Sequence, residues 1–127
     1  MTGGKSLTIT IPEIPPSNNK YMGKNKSHFI YHKDKEHWQE LIYWAAFGRE
    51  KQDPLQRARV TLTYHFKTKV RRDPDNYSGK FILDGLKAAG VIADDSFSNV
   101  ELVIMAGEPD SKNPRTVILV DELKGAK

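Results

Sequence analysis

Residues 71–95 read RRDPDNYSGKFILDGLKAAGVIADD, and the change of period inside this stretch decides the fold. Upstream of it, Val60, Leu62, Tyr64, Phe66 and Val70 alternate with Thr61, Thr63, His65, Lys67 and Lys69, the two-residue period of a long strand. From Asn76 to Ala89 the apolar residues recur at helical spacing instead, and Gly90 stands where a helix C-cap belongs. The stretch therefore carries the chain from strand to helix, and Val91-Ile92 and the Asp94-Asp95 pair follow.

Working outward, Leu7, Ile9 and Ile11 alternate with threonines until Pro12, which predicts a first strand. Residues 15–35, PPSNNKYMGKNKSHFIYHKDK, form an extended basic loop in this reading. Lysines 20, 24, 26, 33 and 35 are interleaved with Tyr21, Phe29 and Tyr31, and a short extra strand is expected near 28–31. Between about Lys33 and Arg49, Trp38, Leu41, Ile42 and Ala45 have amphipathic spacing, with Gly48 at the end and both Trp38 and Trp44 expected as core anchors. After a turn at Asp53-Pro54 and the central stretch, Val100–Ala106 and Arg115–Asp121 read as two strands. The turn between them holds Gly107, Pro109, Asp110, Asn113 and Pro114, so they are expected to pair as neighbours. The order βαβαββ predicts an α+β domain with a mixed sheet, one domain over residues 1–127.

Composition narrows the function. Charged residues are 28% and hydrophobic ones 38% of the 127, a globular balance rather than a disordered one. No apolar run is long enough to span a membrane and the N-terminus lacks a secretory layout, so a cytoplasmic protein is expected. Without cysteine there are no disulfides or thiolate ligands, and any metal must be held by oxygen or imidazole, which favours hard ions such as magnesium or manganese. A net charge of +4 is compatible with polyanion partners.

Against that basic background, five aspartates fall in residues 73–95. Two carboxylates 4 Å apart repel by about 4 kcal/mol at an effective dielectric near 20, so such crowding calls for a cation. Asp73 and Asp75, one residue apart at the end of an extended strand, share a face, and Pro74 between them restricts both. An ordinary helix N-cap at Asp75 or Asn76 is the competing reading. On a helical wheel Asn76, Lys80, Asp84 and Lys87 fall within an arc of roughly 80°, a narrow polar stripe that lines a cleft or meets solvent through a slot. A solvated face with a Lys80–Asp84 pair explains the same stripe, and a solvated loop explains Asp94-Asp95. Taken together, the acids at the strand end, the stripe and the loop acids can converge on one or two magnesium ions, as phosphoryl chemistry requires, with Lys80 near the phosphate.

Other signals are weaker. Gly4-Lys5-Ser6 lacks the earlier glycine of a phosphate-binding loop. Histidines 28, 32, 37 and 65 show no helix-borne metal spacing, and surface or packing roles are expected for them. The lysines of the basic loop suit an arm that tracks a nucleic-acid backbone, and also suit plain solvation.

Asp73-Pro74-Asp75-Asn76, Lys80, Asp84-Gly85-Leu86, Gly90 and Asp94-Asp95 resemble the D-x-D-N … K … D-x-L … G … D-D signature of the RusA-type Holliday junction resolvases. Ile14-Pro15-Pro16-Ser17-Asn18-Asn19 is similar to the P-P-S-x-N segment frequent near their N-termini. The resemblance implies a homodimeric, bacterial or phage-encoded endonuclease that uses magnesium, with manganese substituting, to resolve four-way DNA junctions by paired symmetric nicks in recombination and repair. By position it implies that Asp73, Asp75 and Asp95 hold the metal, that Lys80 is the catalytic lysine, and that Asn76, Asp84 and Asp94 support the site. The interval from Asn76 to Lys80 is one residue longer than in some members. Lys20, Lys24, Lys26, Lys33, Lys67, Lys69, Arg71 and Arg72 are the expected DNA-backbone contacts. A non-catalytic branched-DNA-binding protein and a metal-dependent nucleotide-sugar transferase are the alternative functions.

Overall fold

A computed structural model describes residues 4–22, 28–48 and 53–123; for Asp75 the backbone alone is described. The elements are β1 (Ser6–Ile11), α1 (His28–Ala46), β2 (Ala58–His65), α2 (Lys80–Ala88), β3 (Val100–Ala106) and β4 (Arg115–Glu122), with 3-10 turns at Asn18–Tyr21 and Pro74–Asn76. The order βαβαββ and the mixed sheet are as expected.

The sheet runs β1-β4-β2-β3, with β2 and β3 parallel and the other pairs antiparallel. β3 and β4 are therefore not neighbours, contrary to the expectation of a hairpin. α2 carries the chain back along β2, so β3 enters parallel to it, and the 107–114 connection then passes the end of β2 to reach its other edge. Two backbone bonds hold that connection as it passes, from the Gly107 N–H to the Tyr64 carbonyl in β2 and from the Asp110 N–H to the Phe66 carbonyl just beyond it.

Strand alternation gives the sheet one buried face. Ile9 and Ile11, Ala58, Val60, Leu62 and Tyr64, and Ile118 and Val120 form one core with Trp38 and Ile42 of α1 and Phe81, Ile82 and Leu86 of α2. The register puts Thr8, Thr61, Leu119 and Val103 in one row of the opposite face. The two helices meet at Gly85, where an added Cβ would stand 2.7 Å from Ile42 Cδ1, so the absence of a side chain sets how closely they pack.

Several boundaries differ from the sequence reading. Residues 28–31 are the first turn of α1 rather than a strand, because the inward face Tyr31, Trp38, Ile42, Ala46 has helical spacing from Tyr31 onward and Tyr31 packs on Phe81 at 5.3 Å. The supposed extended loop is thereby reduced: Asn18–Tyr21 is a 3-10 turn and residues 28–35 are helical, while Lys24 and Lys26 lie outside the described residues. Trp38 is 1% exposed, as a core anchor should be, but Trp44 is 60% exposed, because the helix turns it away from the Trp38–Ile42–Ala46 stripe. It lies instead among the outward rings of Tyr43 and Phe47, at 5.1 and 5.2 Å.

β2 ends at His65, short of Val70. Beyond it Arg72 lies over the Phe66 ring at 4.2 Å and donates to the carbonyls of Thr68 and Val70, which folds the 66–72 segment upon itself. α2 starts at Lys80 rather than Asn76. Gly79 precedes it with φ +81°, and a Cβ there would stand 2.5 Å from Leu62 Cδ1, so only glycine permits both the left-handed turn and the close approach to β2. Gly48 and Gly90 follow the two helices with positive φ, where helix ends were expected.

Candidate active site

The stripe on α2 survives in shortened form, since Asn76 now belongs to the 3-10 turn before the helix. Lys80 Nζ lies 3.4 Å from Asp84 Oδ2, and Lys35 of α1 reaches the same oxygen at 3.9 Å. Asp84 has a side chain only 16% exposed, so it is a shielded anion between two ammonium groups. One turn on, Lys87 pairs with Asp94 at 3.1 Å, and the Asp95 backbone N–H donates to Asp94 Oδ1 at 2.9 Å. That N–H and the Lys87 ammonium hold the Asp94 carboxyl below its ordinary range, while Asp94 in turn pushes the Lys87 ammonium up. Asp94 thus fixes the loop that presents Asp95.

Asp73 has a different setting. It occupies the N-cap position of the Pro74–Asn76 turn, yet its side chain makes no cap hydrogen bond, and its carboxylate is exposed with Arg71 Nε at 3.5 Å. The N-cap of α2 is Gly79, so neither Asp75 nor Asn76 caps that helix and the competing cap reading does not apply there.

The aspartates are spread over the length of the sheet. Asp73 borders a cavity of about 60 Å³ with Phe66, Ile104 and Ala106, at the C-terminal end of β3. Asp95 precedes Ser96, whose carbonyl accepts the Val100 N–H at the opposite end of that strand. Asp73 and Asp95 thus flank opposite ends of β3, a strand roughly 20 Å long at about 3.3 Å per residue. Among the described residues no three His, Asp or Glu side chains gather as a metal-holding group, and the side chain of Asp75 lies outside the described ones. The donor set proposed from the sequence is all carboxylate oxygen, which fits a hard divalent ion.

The basic residues also sort by setting. Lys67, Lys69 and Arg71 are exposed on the segment after β2, and Lys33 is exposed on α1. Lys20 is paired with Asp34 at 2.8 Å, and Arg72 is engaged with Phe66 and the loop carbonyls. Asp34 also accepts from the Tyr21 hydroxyl at 2.6 Å. Burial pushes the Asp34 carboxyl up, but the bonds from Lys20 and Tyr21 outweigh it and hold the group below its ordinary value.

One feature the sequence reading did not anticipate lies beside Lys80. A cavity of about 190 Å³ opens between the 15–21 segment and residues 77–81, walled by Pro15, Tyr21, Tyr31, Tyr64, Tyr77 and Phe81. Tyr64 and Tyr77 also wall the smaller cavity at Asp73, so the two tyrosines form a partition between Lys80 and Asp73. The sequence signal was present in Tyr77, next to the acidic motif, and in Pro15-Pro16, but nothing in the spacing brings residues 15, 31, 64 and 77 together.

The family described as Endodeoxyribonuclease RusA matches residues 13–121, from just after β1 to the end region of β4. No curated protein matches the chain.

Proposed function

From the premise that this chain belongs to the endodeoxyribonuclease RusA family, we propose that it is a magnesium-dependent, structure-selective endonuclease that resolves Holliday junctions by paired nicks. The observation that carries the reading to these residues is Asp73. Its carboxylate stands exposed at a turn N-terminus without capping it, in the motif position that the family resemblance assigns to metal. A carboxylate kept from its commonest structural use is supported as a ligand.

Asp73, Asp75 and Asp95, brought together within one chain or across a dimer, would hold the ion, with manganese able to substitute. When bound, magnesium supplies an activated water and charge for the leaving oxygen. Lys80 supplies the charge that the chain itself brings to the phosphate. At rest it leans on Asp84, and because Lys35 reaches the same carboxylate, Asp84 keeps a partner when Lys80 turns to the substrate. The exposed Lys33, Lys67, Lys69 and Arg71 suit contacts to the DNA backbone, which makes binding steeply salt-dependent. A homodimer would place two such sites on opposing strands of a junction. The nucleotide-sugar alternative is not favoured, because the family that matches residues 13–121 is one of endodeoxyribonucleases.

The test is a nicking assay on a synthetic four-way junction and a linear duplex, with and without magnesium. Wild-type protein should cut the junction only with the metal, and Asp75→Asn should bind it as tightly and leave it uncut. Undiminished nicking by that variant overturns the metal assignment, and binding without nicking by wild type in either magnesium or manganese favours the non-catalytic alternative.

A further inference from the structure

We infer that the aromatic cavity beside Lys80 receives one unstacked nucleobase of the substrate, next to the phosphate that Lys80 engages. The inference rests on the junction-nuclease reading and adds a recognition site to it.

Size is the first argument. A cavity of about 150 Å³ holds a benzene ring, so about 190 Å³ accommodates a flat ring system but not a base with its sugar and phosphate. The sugar-phosphate must then remain at the mouth. Lys80 is part of that wall, and as the exposed first residue of α2 it is placed to meet the phosphate there.

Wall chemistry is the second. The rings of Tyr21, Tyr31 and Phe81 are braced against one another at centroid distances of 5.2, 5.3 and 6.0 Å, and Tyr64 braces Tyr77 at 5.9 Å. The hydroxyl of Tyr21 is tied back to Asp34 and that of Tyr64 to the Tyr77 carbonyl, so what these two side chains offer the cavity is mainly ring surface. Fixed aromatic surface next to a cation is the recurring way in which proteins hold an unpaired base. Asn18 and Ser78, 3.4 Å apart and both in the wall, add an amide and a hydroxyl able to meet a base edge.

Substrate shape is the third. A base inside a duplex must be unstacked before it can enter, at a cost that is least where pairing is already broken. A pocket of this kind therefore favours a branch point over a linear duplex, and so contributes to structure selectivity.

The experiment measures binding of the full-length wild-type protein, without magnesium, to four-way junctions carrying a single abasic site moved one position at a time around the nick. One position should weaken binding by roughly 10- to 100-fold, the scale of one stacked base. Placed at that same position, 2-aminopurine should change its fluorescence on binding and be silent elsewhere. With Tyr31→Ala, shown to be folded by circular dichroism, the abasic penalty at that position should vanish. Protein that nicks junctions but shows no sensitive position in the abasic scan overturns the pocket and leaves the nuclease reading standing. Protein that neither binds nor nicks junctions overturns both.

Discussion

Asp84 ties lysines of two different helices to one carboxylate. It sits on α2 between Lys80 and Lys35, and it is the only fixed anion that either ammonium is seen to touch among the described residues. Replacing it by Asn should leave the two lysines repelling one another and Lys80 without a resting place. Nicking by Asp84→Asn is expected to slow roughly tenfold, and the Lys80→Ala/Asp84→Asn double variant should be no slower than Lys80→Ala alone, since residues in one network are not additive. Single-turnover rates check this; an additive double variant would show that Asp84 acts elsewhere. The i, i+4 spacing of Lys80 and Asp84 made the pair legible in the sequence. Lys35 was not, because its approach depends on how α1 packs against α2 at Gly85.

At the scale of elements, α1 separates its two tryptophans. Trp38→Ala removes a large buried side chain and should cost about 3–5 kcal/mol, whereas Trp44→Ser on the outward face should stay within about 0.5 kcal/mol. Urea unfolding of the two variants measures the contrast, and equal losses would show that the outward rings carry packing of their own. The same helix marks where sequence reading stops. Its period was readable from Trp38 onward, and Gly48 and Gly90 were readable as ends, since both signals are local. Its true start was hidden, because Tyr31 declares itself only by packing on Phe81. Likewise, alternation identified β3 and β4 as strands but not as non-neighbours; their separation follows from α2 returning the chain so that β3 pairs parallel with β2. The α2 start was misplaced for a third reason, since Gly79 breaks the helix to fit against Leu62 and nothing in its own spacing announces that neighbour.

For the whole molecule, the placement of Asp73 and Asp95 near opposite ends of β3 has the largest consequence. Two routes could bring these carboxylates to one ion: rearrangement within one chain, or a dimer in which a second copy brings its Asp95 to the first copy's Asp73. Mixing Asp75→Asn and Asp95→Asn proteins distinguishes these routes. Carboxylates drawn from different copies should restore nicking in the mixture, because one site then receives an intact set. Carboxylates drawn from the same copy should leave the mixture as inactive as either variant.

The partition made by Tyr64 and Tyr77 has its own consequence. Tyr64 is interior and stands on β2, flanked on both sides by strands, so the sheet bears this half of the wall, and Tyr77 packs on it at 5.9 Å. A base seated on the Lys80 side and a metal held on the Asp73 side would be kept a constant step apart. The partition would then act as a ruler, setting the offset of the cut by the thickness of two rings rather than by the reach of any flexible side chain.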